Sequence, residues 1–268
     1  MEYGNREINE GSSVSDDKSK TNITSIEPGK IRIKGYDLVD LMGRKSFADV
    51  VYLILKGELP SQAEARMMDA ILTSSVDHGL TPPSSLATRT VVSGGNPLNA
   101  AIAGGILTIG DIHGGAIEQC ARILQEWAPK RGEAESVAQE LLNDLASRKM
   151  RMPGFGHRLH KTDPRTIRLF EMADELNFSG KHQNLARAVE KVFAERRKAL
   201  PVNVDGAIAA VISDMGFDWR LGKGFFIISR TVGLVAQAYE ERTREKPMRK
   251  LGLSDYEYDG PAPRELDS

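Results

Sequence analysis

Past residue 23 the apolar positions recur almost everywhere with a helical period. The exception comes first: "KIRIKGY", residues 30–36, alternates residue by residue as a short strand does. Ser46 then precedes "FADVVYLILKG", apolar on all sides as in a buried helix and ended by Gly57, with Pro60 beyond; Ser61 and Glu64 spell a capping box at the head of "SQAEARMMDAIL". "PLNAAIAGGILTI", Pro97 to Ile109, is apolar but built of small residues, which suits a helix that others approach closely. Val137, Leu141, Leu142 and Leu145 recur at three-four spacing, as do Leu185, Ala188, Val189, Val192 and Phe193, and each run predicts an amphipathic helix. The last strong helix runs from about Lys223 to Glu245, ahead of Pro247, and the closing "SDYEYDGPAPRELDS" is polar without a helical period. The expected fold class is all-α.

Composition narrows the function classes. Apolar residues make up 40% and charged residues 27% of 268, an ordinary globular balance with room for a sizeable core. Lys plus Arg at 36 against Asp plus Glu at 37 leaves no global basic field for a polyanion, so no nucleic acid is expected and any bound anion is small. The single cysteine, Cys120, excludes an internal disulfide and a cysteine-rich metal site. The first residues lack the apolar core of a secretory signal, and no run approaches the ~20 apolar residues of a membrane span. A cytoplasmic location, no membrane contact and a disordered tail over residues 1–23 are expected.

Three polar stretches interrupt the helical pattern. In "GDIHGGAIEQ", His113 stands between an apolar helix and a Gly-Gly pair; taken alone, it is a histidine in a helix connector. In "MPGFGHRLHKTDPR", Gly154 and Gly156 flank Phe155, which permits close backbone approach to a ligand, and His157, Arg158, Lys161 and Arg165 follow. Such a loop suits a phosphate or carboxylate, or is a solvated basic loop. In "PVNVDGAIAAVIS", Asp205 leads an apolar helix and on a bland reading is its N-cap. A metal site is not expected, because His113, His157 and Asp205 are 44 and 48 residues apart and His157 with His160 lies between Gly156 and Pro164, not on a helix face. Cys120 lies on an apparent helix face beside Ala116, Ile123 and Leu124, which disfavours a nucleophile.

In order, "GDIHGG", "PGFGHRLHKTDPR" and "NVDG" resemble the citrate synthase superfamily, whose active site places two histidines and an aspartate in those contexts. "IKGYDLVDL", "SFADVVYLILKGELP", "VDHG", "ISRTVGLVAQ" and "YDGP" extend the resemblance from about Thr24 to the end. Full-length synthases carry a much longer stretch where only residues 61–76 separate Pro60 from Asp77. This short form is most similar to citryl-CoA lyase and the lyase module of ATP-citrate lyase. His113 is nevertheless the residue synthases have there, where the ATP-citrate lyase module lacks it, and aligning Arg165 needs a one-residue gap before "DPR".

The resemblance implies catalytic roles for His113, His157 and Asp205, substrate binding by His78, Arg165, Arg230 and Arg249, and coenzyme A contacts from Pro153, Gly154, Phe155 and Gly156, with Arg158 and Lys161 near its phosphates. The family's counterpart of Arg249 reaches in from the other subunit. The implied substrates are citryl-CoA, acetyl-CoA and oxaloacetate, with no permanently bound cofactor. A condensing synthase making citrate or 2-methylcitrate, or a non-catalytic partner of a citryl-CoA-forming ligase, are the alternatives. The resemblance also implies a homo-oligomer, at least a dimer, with a large domain of residues 24–114 and 211–268 and a small domain of residues 115–210.

Overall fold

The computed structural model describes residues 19–156, 163–197, 200–250, 252–255 and 257–265. Of the expected N-terminal tail, residues 1–18 lie outside the described residues, whereas Ile23 is already tied down: its carbonyl accepts the Lys34 amide at 2.8 Å.

The chain separates into two compact units at Leu59 and Pro60. In the first, β1 (Thr24–Glu27), β2 (Lys30–Ile33) and β3 (Tyr36–Asp37) form an antiparallel sheet in that order, with Ile26 opposite Ile31 and Arg32 opposite Asp37. The predicted single strand is thus a small sheet; β1 carries one apolar residue, Ile26, and β3 is two residues long, so neither shows an alternation of its own. A short helix, α1 (Leu38–Leu41), leads to α2 (Phe47–Lys56). Ser46 and Asp49 cap α2 reciprocally, and Gly57, at φ 100°, ends it in the left-handed conformation. Ala48, Val51, Tyr52 and Leu53 are buried while Phe47 is 74% exposed, so one face and not all sides of this helix is covered within the chain.

The second unit is helical: α3 (Gln62–Ser74), α4 (Pro83–Ser93), α5 (Leu98–Leu107), α6 (Ala116–Trp127), α7 (Ala134–Ser147), α8 (Pro164–Glu175), α9 (Lys181–Glu195), α10 (Val204–Asp214) and α11 (Gly222–Arg244), with a 3₁₀ turn at Trp219–Leu221. The Ser61–Glu64 capping box opens α3 as predicted. Two helices organise the packing. α10 is enclosed by α6, α8 and α9, while α11 packs on α3, α4, α5 and α6. Every residue from Gly206 to Ser213 is buried, and side chains such as Ile208, Val211 and Ile212 each contribute roughly 1.5–3 kcal/mol on burial, which fixes the N-terminus of α10 firmly in place.

Sequence periodicity did not predict α4 and α8. The buried face of α4 is Ser84, Ser85, Thr88, Arg89, Val92 and Ser93, so its core-facing stripe is mostly polar. α8 begins at Pro164, inside the basic run that reads as loop. The small-residue character of α5 has the expected cause: a Cβ on Gly105 would fall 2.0 Å from Thr88 Oγ1 and 2.9 Å from the Ser84 carbonyl oxygen of α4. Among the described residues no helix is long and apolar enough to cross a membrane.

Candidate active site

The second and third polar stretches are locked together by their backbones. Phe155 pairs with Val202 in an antiparallel bridge, the Asn203 amide donates to the Gly154 carbonyl at 3.0 Å, and the Gly156 amide donates to the Pro201 carbonyl at 2.7 Å. Asn203 Nδ2 donates to the Gly156 carbonyl at 2.8 Å, and its Oδ1 accepts the amides of Asp205 and Gly206 at 3.0 and 3.2 Å. Asn203 is therefore the N-cap of α10, a correction to the bland reading of Asp205. Freed from that duty, Asp205 stands in the first turn with its carboxyl available. His157 follows Gly156 directly, but His157, Arg158, His160 and Lys161 lie outside the described residues, as does the position of the one-residue gap before "DPR".

The electrostatics of Asp205 are unusual for a helix N-terminus, which ordinarily stabilises the anion. Burial against packed protein pushes its carboxyl up to about 6; Arg165 and then Arg230 pull it back, and Asp163 adds to the rise. Arg165 is itself clamped: Nε and Nη2 donate to the two Asp163 oxygens at 3.0 and 2.8 Å, and Nη1 reaches the Ser74 carbonyl at 3.5 Å. Asp163, 1% exposed in its side chain, also accepts the Arg165 amide and caps α8. Cys120 lies below the same turn, where burial and the Asp205 charge push its thiol far up, the opposite of an activated nucleophile.

From α11, Arg230 Nε donates to the Ser75 carbonyl at 2.9 Å, and Nη1 is buried with no hydrogen-bond partner among the described residues. A buried guanidinium N–H without an acceptor calls for an anionic ligand. Phe226 links it to His113: the guanidinium carbon lies 4.7 Å from the Phe226 ring centre, and the imidazole meets the same ring edge-on at 5.5 Å. His113 Nε2 is 2.8 Å from Ser84 Oγ. Burial first, then the charges of Arg230 and His78, lower the imidazole pKa, so the ring is neutral near pH 7. The connector needs its glycines: a Cβ on Gly114, at φ 83°, would sit 2.5 Å from Phe226. His78 is exposed, on the loop after α3.

Asp205, Arg165, Arg230, His113 and His78 are thus electrostatic neighbours, linked directly or through one another. Arg249 is placed differently. Its Nε donates to Glu241 Oε1 at 2.8 Å, and its amide donates to Ser93 Oγ at 3.2 Å.

A sequence profile described as "Citrate synthase, C-terminal domain" matches residues 17–66 and 60–251. The chain belongs to the citrate synthase family. Within it, the chain is similar to a citryl-CoA lyase from Hydrogenobacter thermophilus, 50% identical with a TM-score of 0.86, over 93% of this chain and 97% of that one. It shares its fold with an ATP citrate lyase from Methanosaeta concilii, 21% identical with a TM-score of 0.79, over 98% of this chain and 47% of that one. It is 30% identical to a citrate/2-methylcitrate synthase of Bacillus subtilis (strain 168) over 208 residues, 75% of this chain and 54% of that protein. The chain spans about half the length of the curated relatives it matches.

The family motifs lead to the ionisable residues at the centre of this site but not to those that hold them. Asp163, Ser84, Asn203, Asp77, Gln237 and Arg89 all contact or support the cluster, and the last is 2% exposed. Asn203 and Asp163 had local signals, standing immediately before α10 and before "PR" where caps belong; Ser84 and Arg89 had none. A groove of about 460 Å³ lined by Leu98, Val232, Val235 and Tyr239 contains no residue of this cluster. Among the described residues, no group of three His, Cys, Asp or Glu side chains forms a metal cluster.

Proposed function

We propose that this citrate synthase family member is a citryl-CoA lyase, cleaving citryl-CoA to acetyl-CoA and oxaloacetate. The observation that carries the reading is the Asp205 carboxyl, raised to about 6 between two arginines. That is a proton donor able to work near neutrality beside cations suited to a dicarboxylate. Identity of 50% with the Hydrogenobacter thermophilus lyase across nearly its whole length favours cleavage over condensation.

In this reading His157 accepts the carbinol hydroxyl proton as the carbon-carbon bond breaks, the bonding pair passes into the thioester, and the oxaloacetate ketone forms. His113, neutral and accepting a hydrogen bond from the Ser84 hydroxyl at Nε2, presents Nδ1–H to the thioester oxygen where enolate charge develops. Asp205 delivers its proton to the enolate carbon, giving the acetyl methyl group. Arg165 and Arg230 hold the two carboxylates, with His78 beside them; Arg249, engaged by Glu241 within its own chain, enters last in rank. The backbone of Pro153, Gly154, Phe155 and Gly156 lies along coenzyme A, with Arg158 and Lys161 toward its phosphates. The coenzyme A thioester is substrate and product, and no permanently bound cofactor takes part.

A second reading, a citrate or 2-methylcitrate synthase, draws on His113 and on the Bacillus subtilis relative. The two differ in whether water reaches the thioester. Supplying citryl-CoA, and separately acetyl-CoA with oxaloacetate, while measuring free coenzyme A decides between them: stoichiometric free coenzyme A without net cleavage would sink the lyase reading. A non-catalytic subunit beside a citryl-CoA-forming ligase ranks third. The exposed Val232 and Tyr239 of α11, beside Leu98 of α5, support the proposal of a homo-oligomer, which light scattering tests. The division into residues 24–114 with 211–268 and residues 115–210, and a cytoplasmic location, belong to the same reading.

A further inference from the structure

The loop that carries His78 is held along one face of α11. Ser229 Oγ donates to the Leu72 carbonyl and Arg230 Nε to that of Ser75. Gly233 leaves room for the chain itself: a Cβ there would fall 2.1 Å from the Val76 carbonyl oxygen. One turn further, Gln237 Nε2 donates to Asp77 Oδ1 at 3.1 Å and lies 3.3 Å from Oδ2. These positions follow the three-four spacing of a single helix face. Asp77 Oδ2 also accepts the Gly79 amide at 2.9 Å, which closes a turn around His78, and its charge acts on Arg230.

Chemistry dictates an amide at position 237. Gln237 Oε1 accepts Arg89 Nε at 2.7 Å, and a guanidinium can only donate, while the Asp77 carboxylate can only accept. A side chain between them must accept on one side and donate on the other. Glutamate would satisfy Arg89 but oppose Asp77; lysine would do the reverse. The amide orientation is anchored from behind, since Arg89 Nη1 donates to Glu241 Oε2 at 2.9 Å and Glu241 also receives Arg249. Gln237 is 8% exposed and Arg89 2% exposed, so water is a poor substitute for either partner.

Resting on the functional reading above, we propose that Gln237 is a positioning residue that, through Asp77, sets the His78 loop and the surroundings of Arg230, and so tunes affinity for the dicarboxylate portion of the substrate without touching it. The test uses the full chain with Gln237→Glu, Asp77→Asn and the double exchange, in which an asparagine at 77 donates to a glutamate at 237. Gln237→Glu is expected to raise KM for citryl-CoA about tenfold with kcat changed less than about threefold, the size of one lost buried contact. It should also speed hydrogen exchange of the Gly79 amide and lower Tm, because the new carboxylate faces that of Asp77 away from water. The double exchange restores both KM and exchange. Wild-type KM and exchange in Gln237→Glu, or a double variant no better than that single one, would overturn the proposal. A wild-type protein inactive on citryl-CoA would overturn the functional reading alone; Gly79 exchange across the three variants still decides the Gln237–Asp77 link.

Discussion

Gly154 and Gly206 meet where neither has room for a side chain: a Cβ on Gly154 would lie 2.7 Å from the Gly206 Cα, and one on Gly206 would lie 2.3 Å from the Gly154 carbonyl oxygen. The contact seats the turn before His157 on the helix that carries Asp205. Because the obstacle is backbone, nothing can swing aside. Gly206→Ala should therefore cost about 1–3 kcal/mol of stability through overpacking, and lower kcat by more than that loss explains. Urea unfolding and steady-state kinetics on the same preparation check this; a variant with wild-type kcat would contradict the shared placement.

Stability should fall with rising pH because of Asp205. Its folded carboxyl titrates at about 6, against about 3.9 for an unfolded aspartate. Between those values the folded state keeps a proton that the unfolded state has lost, so stability declines as pH rises through the window. Asp205→Asn carries no such penalty. Its advantage over wild type should grow from pH 4 to pH 6 and level off at on the order of 3 kcal/mol, read by urea unfolding at several pH values. Parallel curves would refute the raised carboxyl.

Asp163→Asn offers a finer probe of the same group. Asparagine still accepts the Arg165 amide as an N-cap, but it removes a charge that raises the Asp205 carboxyl and loosens the clamp on Arg165. Both changes lower the Asp205 pKa. For cleavage, which needs the protonated acid, the decline of kcat with rising pH should then begin at lower pH than in wild type. A profile unmoved or moved upward would separate Asp163 from Asp205.

The buried Arg89 is the main structural charge behind the site. Arg89→Met leaves Glu241 with Arg249 alone and removes the Gln237 acceptor's donor, at an expected cost of about 3–5 kcal/mol. The urea midpoint should fall with little change in slope. Replacing Glu241 by Leu in the same chain should recover part of the loss, since the uncompensated carboxylate is then gone.

Sequence pattern made the helices with apolar stripes legible, from α2 through α11, along with the Ser61 cap and the close approach at α5. It missed α4 because the residues α4 buries are Ser84, Ser85, Thr88 and Arg89, and the recorded partners of Ser84 and Arg89 are His113, Gln237 and Glu241 on distant segments, which no period encodes. It missed α8 because Asp163 and Pro164 start a helix from within a basic run. The candidate acid Asp205 was legible only through its family context; by local rules it read as a cap, and the residue that caps stands two positions earlier. Gln237, which acts through a neighbour, depends on contacts with distant segments, Arg89 and Asp77, and leaves no local trace, whereas Asp163 betrays itself only as a cap before "PR".

The most direct test of the account is oxaloacetate release from citryl-CoA by the purified chain and by Asp205→Asn, followed in the same assay. The account predicts sustained release with acetyl-CoA formed in equal amount by the wild-type chain, and a loss of at least about a hundredfold in the variant with coenzyme A thioester binding retained. Release unchanged by Asp205→Asn, or no cleavage by the wild-type chain, would contradict it.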